Sequence, residues 1–130
     1  MNDIKKLIMA SSAGGFGMWL LAGLWHQVIL VNFYAETGAT HEGTLVIFFT
    51  YLFLGFLMAY MFPLGYKGGR PLLEGLRFGV LIGVLWVLPN ELIHAGAHGE
   101  SLLYPFQNAA VHVVEQGVGG VIIGFIYGRA

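Results

Sequence analysis

The sequence predicts an all-α fold: an integral membrane bundle of four transmembrane helices, joined by short loops, with both termini on the cytoplasmic side. The first observation is composition, since 57% of the residues are hydrophobic, only 10% are charged and the mean hydropathy is +0.74. Soluble domains carry about one quarter charged residues. The second is a set of four apolar segments, each close to the roughly 20 residues that a helix needs to cross a bilayer. The third is the placement of the positive charges.

The four apolar segments fill most of the chain and predict a single transmembrane domain over residues 1–130. Proline is disfavoured inside a helix, so the third helix either ends before Pro89 or continues past it as a kinked extension to residue 95. Because the connections are short, we expect helices that follow one another to be antiparallel neighbours. The predicted helices span residues 7–31, 44–62, 72–88 and 106–127.

The positive charges set the predicted orientation. Neither the connection between the first two helices nor that between the last two contains a Lys or Arg. Cytoplasmic loops are enriched in these residues, so those two connections are predicted to face outward. The first apolar run continues without a signal-peptide cleavage site, and we interpret it as a retained helix. Together with the short loops, this favours a bacterial inner membrane. The cations are Lys5, Lys6, Lys67, Arg70, Arg77 and Arg129.

Histidine and glutamate collect at the outward end instead. Acidic residues contribute little to membrane orientation, so insertion does not explain this asymmetry, and it indicates a pocket or a binding surface. The histidines are His26, His41, His94, His98 and His112, and the glutamates are Glu36, Glu42, Glu91, Glu100 and Glu115.

Glycines recur every four residues in the cytoplasmic halves of the last two helices. Small residues at this spacing let two helix backbones approach closely in lipid, so we predict a tight antiparallel contact between the third and fourth helices. Two alternatives stay open: membrane helices are rich in glycine in any case, and one row could make a homodimer contact. The rows are Gly75, Gly79 and Gly83, and Gly120, Gly124 and Gly128.

The same four-residue step continues outward along the fourth helix to Gln116 and His112, which therefore share a face with the glycines. Glu115 lies about 13 Å from the outer end of this helix at 1.5 Å per residue. An ionisable group at that depth usually faces the bundle interior and has a partner. We expect that partner to be His26, Glu91 or His94, around an outward polar pocket that also includes Gln27, Gln116 and His98.

Two pairs of Glu and His residues are spaced three apart, Glu91 with His94 and His112 with Glu115. They suggest a ligand site, because residues three apart share a helix face. Imidazole and carboxylate groups suit a transition-metal ion such as zinc, iron, copper or nickel, and two histidines from different helices suit a b-type haem. The same groups are also typical of a hydrogen-bond network that only fixes packing, or of a proton or ion pathway. The candidate ligands are His26, Glu91, His94, His112 and Glu115.

Several functions are disfavoured by the sequence. The chain has no cysteine and therefore no thiolate site. It has no P-loop, nucleophile elbow or zinc-protease motif, so an enzyme is not favoured. No basic patch points to nucleic acid. We interpret the chain as a small accessory subunit or binding protein for a metal ion or haem, surrounded by lipid and associated with further copies or other membrane subunits. The alternatives are a proton- or ion-coupled transporter using Glu115 and His112, and a purely structural subunit.

Overall fold

The computed structural model describes residues 2–35 and 43–128. Within these ranges, four helices are long and apolar enough to cross a membrane, which confirms the predicted all-α four-helix transmembrane fold. A π-helical turn at Trp25–Ile29 continues the first of these helices, and a short helix follows it. The helices are α1 (Asp3–Leu24), α2 (Val31–Ala35), α3 (Thr44–Gly65), α4 (Pro71–His98) and α5 (Leu103–Gly128).

The long helices extend beyond their predicted ends because local residues cap them. The Asn2 side chain accepts a hydrogen bond from the Lys5 amide at 2.8 Å, so α1 begins ahead of the predicted start. The amide of Leu103 donates to the Ser101 hydroxyl at 3.1 Å, which favours the early start of α5. Pro105 falls in the first turn of α5, where its missing N–H has no helical partner to lose.

Helix α4 continues through Pro89 and ends at His98. Pro71 occupies its first turn, the position where proline is best tolerated. Gly99 then adopts a left-handed conformation, with φ at 63°, and its amide bonds back to the last turn. A residue with a side chain is strained in this conformation, so glycine terminates the helix here.

The four long helices do not surround a symmetrical core. Helix α5 is the most buried and packs mainly against α4 and α1, while α1 also packs against α3. Helices α3 and α4 follow one another in sequence but touch little, with Phe62 against Phe78 at 5.7 Å between ring centroids. The expectation that all successive helices are close neighbours is therefore wrong for this pair. The glycines of α4 face α5, so the close packing of α4 is with α5 rather than with α3.

Helices α4 and α5 meet along their glycines, backbone against backbone. A Cβ atom added to Gly75 would fall on the carbonyl oxygen of Gly120, and one added to Gly79 would fall on that of Gln116. A Cβ on Gly83 would lie 2.8 Å from the Cα of Val113. Further inward, Gly124 lies against the Pro71 carbonyl and Gly128 against the Pro71 ring. These contacts leave no space for a side chain.

A second glycine contact joins α1 and α3. A Cβ on Gly55 would lie 2.5 Å from the carbonyl oxygen of Ser11, and one on Gly15 would lie 2.7 Å from that of Tyr51. Gly119 of α5 similarly leaves space for Met18 of α1, whose sulfur would be 2.5 Å from an added Cβ. Helix α1 is thus held on two sides, which fixes its rotation about its own axis.

The hydrophobic core occupies the middle of the bundle and the end that carries Lys5 and Arg70, which we call the inner end. The opposite end, with His26 and Glu91, is the outer end, following the predicted orientation. Large apolar side chains elsewhere on the long helices are exposed, as expected where lipid is the solvent. The core side chains that are almost fully buried include Met18, Met58, Ala59, Phe62 and Ile123.

Candidate functional site

The centre of the candidate site is the carboxylate of Glu115, which is 1% exposed in the middle of α5. The Gln116 amide donates to its Oε1 atom at 2.9 Å. His112, one helical turn outward, places its Nδ1 atom 3.4 Å from the same oxygen. Tyr51 of α3 lies near enough to this carboxylate for the two side chains to interact electrostatically. We call Glu115, Gln116, His112 and Tyr51 the inner cluster.

The inner cluster contains buried polar atoms that lack a hydrogen-bond partner among the described residues. These atoms are the Nδ1 of His112 and the Oε1 of Gln116. Buried polar groups are normally paired, and leaving one unpaired costs about 1–3 kcal/mol. A single proton shared between His112 and Glu115 would pair the first atom, whereas the second still needs a donor. The side chains of the inner cluster therefore do not satisfy all of one another's hydrogen-bonding groups.

A chain of polar contacts leads from the surface of the outer end toward this cluster. The Asn108 amide donates to Glu91 at 3.3 Å, and its oxygen accepts from the Tyr34 hydroxyl at 2.7 Å. The Tyr34 ring stacks on His26, with centroids 4.0 Å apart. Burial raises the pKa of Tyr34 well above its ordinary value, so this hydroxyl stays a donor at neutral pH. His26 in turn is close enough to Glu115 to interact with it electrostatically.

His94, His98 and Glu91 form a second group at the surface, together with Glu100, which we call the outer cluster. His94 lies 3.9 Å from Glu100, and both side chains are 57% exposed. Its ring is 4.2 Å from the ring of His98 between centroids. The Nδ1 atom of His98 lies 2.9 Å from the His94 carbonyl oxygen. Glu91 lines the same surface depression.

The five predicted ligands thus divide between two places. His112 and Glu115 belong to the inner cluster with His26 nearby, while Glu91 and His94 belong to the outer end of α4. Across residues 2–35 and 43–128, no three His, Asp or Glu side chains are grouped closely enough to hold a metal ion. Four residues named in the sequence analysis lie outside the described residues: Glu36, His41, Glu42 and Arg129.

Several cavities lie near these groups, and two of them border the candidate site most extensively. The larger, of about 990 Å³, is the mouth cavity, whose polar lining comes from α2, α4, α5 and the loop before α5. The smaller, of about 340 Å³, is the side cavity, between the outer part of α1, α2 and the start of α3. The mouth cavity includes Asn32, Asn90, Glu91, His94, Glu100 and Gln107. The side cavity includes Trp19, His26, Gln27, Tyr34 and Tyr51.

The π-helical turn explains how α1 brings its polar residues to these cavities. The amide of Leu30 bonds to the carbonyl of Trp25 at 2.8 Å, five residues back rather than four. The extra residue in the turn rotates everything after it, including Tyr34, relative to α1. Such turns are rare inside α-helices and are frequent at functional sites.

Sequence reasoning missed Tyr34, Tyr51 and Asn108. A signal existed for Asn108, since it lies one further step of four outward from His112 in the row that identified Gln116. No comparable signal existed for the tyrosines, because aromatic residues near the ends of membrane helices are ordinarily interfacial. Tyr51 is instead partly buried and lies near Glu115.

Comparison with known proteins adds no further assignment. No family model, curated protein or solved structure matches the chain. Its function must therefore be inferred from the geometry of the two clusters and the two cavities.

Proposed function

We propose that this chain is a small membrane-embedded binding protein that takes up a cationic ligand from its outer end, with Glu115 as the counter-charge. The observation that carries the proposal is the burial of this carboxylate, at 1% exposure, together with the polar contacts that lead from the outer end toward it. A buried ionisable group in a membrane segment is costly and usually functional.

A cation is favoured because the outer end is acidic. Every Lys and Arg of the chain falls at the inner end by sequence. Glu91 and Glu100 line the mouth cavity, and Glu115 lies deeper. Clefts lined by charges of one sign concentrate ions of the opposite sign. An anionic ligand would meet repulsion at both depths.

Binding is favoured over transport by the inner half of the bundle. There the buried side chains of Met58, Phe62 and Ile123 fill the space between helices. The glycines of α4 and α5 bring the two backbones into contact and leave no space between these helices. The polar contacts described above lead toward the inner cluster from the outer end. A proton- or ion-coupled transporter would need a second route, from Glu115 to the inner end. The glycine rows are used within the chain, which argues against a homodimer contact through them.

The cation could be a transition-metal ion, a haem iron or an organic ammonium ion. Within the described residues, His112 and Glu115 supply two ligands of the kind that metals prefer. A metal held there would take its other ligands from a second molecule, which would make the chain an accessory subunit. Placement in a bacterial inner membrane, with the outer end facing away from the cytoplasm, belongs to the same proposal.

The proposal is tested by thermal unfolding of the detergent-purified protein with Zn²⁺, Cu²⁺, haem or choline, followed by tryptophan fluorescence. We expect one of these cations, at roughly 100 times its Kd, to stabilise the wild type by about 2.7 kcal/mol and so to raise its Tm by about 8 °C. The same cation should have no effect on Glu115→Gln, which removes the charge and keeps the side-chain shape.

Glu74→Gln is the matched control, because it makes the same change at an exposed carboxylate of the inner end. This variant should respond as the wild type does. If none of the four cations raises the Tm, or if Glu115→Gln keeps the full response, the proposed function is wrong. A visible spectrum of the haem sample separates ligation of the iron from nonspecific uptake.

A further inference from the structure

The side cavity has the size and lining of a site for a small organic molecule. Its volume of about 340 Å³ lies within the range of ligand sites in proteins. Apolar atoms contribute more of its wall than polar ones, with Ala22 and Ile47 beside the aromatic rings of Trp19, Tyr34 and Tyr51. It lies beside the inner cluster and is separate from the mouth cavity, which these rings do not line.

The aromatic rings of this cavity are held in place by neighbours outside it. Trp19 meets the ring of Phe48 edge-on, with ring centroids 5.0 Å apart. The ring of Phe16 lies 5.7 Å from that of Trp19 between centroids. Tyr34 is fixed by its hydrogen bond to Asn108. A site whose rings are already positioned loses little conformational entropy when a ligand enters.

The charge near the cavity is negative. Tyr51 and His26 line the cavity, and both lie near enough to Glu115 to interact with it electrostatically, so the carboxylate is close to the cavity wall. The described residues that line the cavity include neither Lys nor Arg. Aromatic rings attract cations through the negative faces of their π systems, and recognition of ammonium ligands by several aromatic residues is a recurrent use of this attraction.

We propose that the side cavity binds an organic ammonium ion, with Trp19, Tyr34 and Tyr51 around the cationic group and Glu115 as its counter-charge. This inference rests on the proposed cation-binding function and names the class of ligand. Gln27, at the rim, offers a hydrogen bond to a polar substituent.

The test compares choline with 3,3-dimethylbutan-1-ol, which has the same shape without the charge. Binding to the detergent-purified full chain is measured by isothermal titration calorimetry. We expect choline to bind at least about tenfold more tightly than the alcohol. Equal binding of the two compounds, or binding of neither, overturns the inference.

The variants Trp19→Leu and Trp86→Leu locate the site. Trp86 is exposed on α4 and lines neither cavity, so its loss should leave choline binding unchanged. Trp19→Leu should weaken choline binding about tenfold. If that variant does not fold, Trp19→Phe keeps a smaller ring and should weaken choline binding about threefold. Equal weakening by the changes at positions 19 and 86 overturns the assignment.

Failure of this inference is distinguishable from failure of the proposed function. If choline does not bind but Zn²⁺, Cu²⁺ or haem stabilises the wild type and not Glu115→Gln, the ammonium assignment is wrong and the cation-binding proposal stands. If choline binds wild type and Glu115→Gln equally, the role of Glu115 as counter-charge is wrong, and both proposals fail.

Discussion

Replacing Gly79 with alanine is expected to lower the free energy of unfolding by about 3 kcal/mol. The added Cβ would fall on the carbonyl oxygen of Gln116, and the Cα of Gly117 lies 2.9 Å from the same point. These are backbone atoms of a helix, which cannot rotate away as a side chain can. Overpacking of this kind costs about 1–3 kcal/mol in well-packed interiors, and the upper end applies where backbone meets backbone.

Gly96→Ala is the matched control for this change, because Gly96 lies on the same helix and an added Cβ would meet no atom within 4 Å. Alanine favours helix over glycine by about 1 kcal/mol, so this variant should be as stable as the wild type or slightly more so. Unfolding is measured by titration with SDS in mixed micelles, followed by circular dichroism. Equal stability of Gly79→Ala and Gly96→Ala would contradict the backbone contact between α4 and α5.

The second large effect is expected at His112. Removing one member of a buried polar pair leaves the other without compensation, which costs about 3 kcal/mol or more. His112→Ala should therefore be strongly destabilising in the wild type. It should cost only about 1 kcal/mol in the Glu115→Gln background, where the neutral amide does not need the imidazole. The coupling energy of the double-mutant cycle should then be about 2 kcal/mol.

The outer cluster provides a control cycle with the same chemical changes. His94 and Glu100 lie 3.9 Å apart, but both are more than half exposed. Exposed ion pairs contribute about 0–1 kcal/mol, so His94→Ala and Glu100→Gln should be additive within about 0.5 kcal/mol. Both cycles are measured by the SDS titration. Additive behaviour of His112 and Glu115 as well would contradict the inner cluster as a coupled unit.

Much of the fold could be predicted because its signals are local in the sequence. The length of an apolar segment decides whether it spans a membrane, and four such segments require four helices. Glycine spacing is equally local, so a close approach of α4 and α5 could be predicted from Gly75, Gly79 and Gly120. The buried depth of Glu115 followed from counting residues along one helix.

The contacts across helices could not be predicted, because they depend on the rotation of each helix about its axis. The sequence predicts that Glu115 meets His26 from α1 and Glu91 or His94 from α4. His26 does lie near it, but Glu91 and His94 lie at the outer end of α4, and Tyr51 of α3 is a neighbour that the sequence did not predict. The single glycine at position 55 gives no periodic signal, yet it sets how closely α3 approaches α1. The π-helical turn after Leu24 has no sequence signature, although it redirects Tyr34 toward Asn108.

The central claim, a cation-selective site open to the outer side, is tested most directly by the accessibility of single cysteines. The chain has no cysteine of its own, so Gln27→Cys and Lys67→Cys are unambiguous probes of the side cavity and of the inner loop. Each is reacted in intact cells with membrane-impermeant thiosulfonates of similar size, one cationic and one anionic.

We expect the cysteine at position 27 to react from outside, and about tenfold faster with the cationic reagent than with the anionic one. The cysteine at position 67 should react only after the membrane is permeabilised, without preference for the cation. A cysteine at position 27 that is protected in intact cells, or that reacts equally fast with both reagents, would contradict the account.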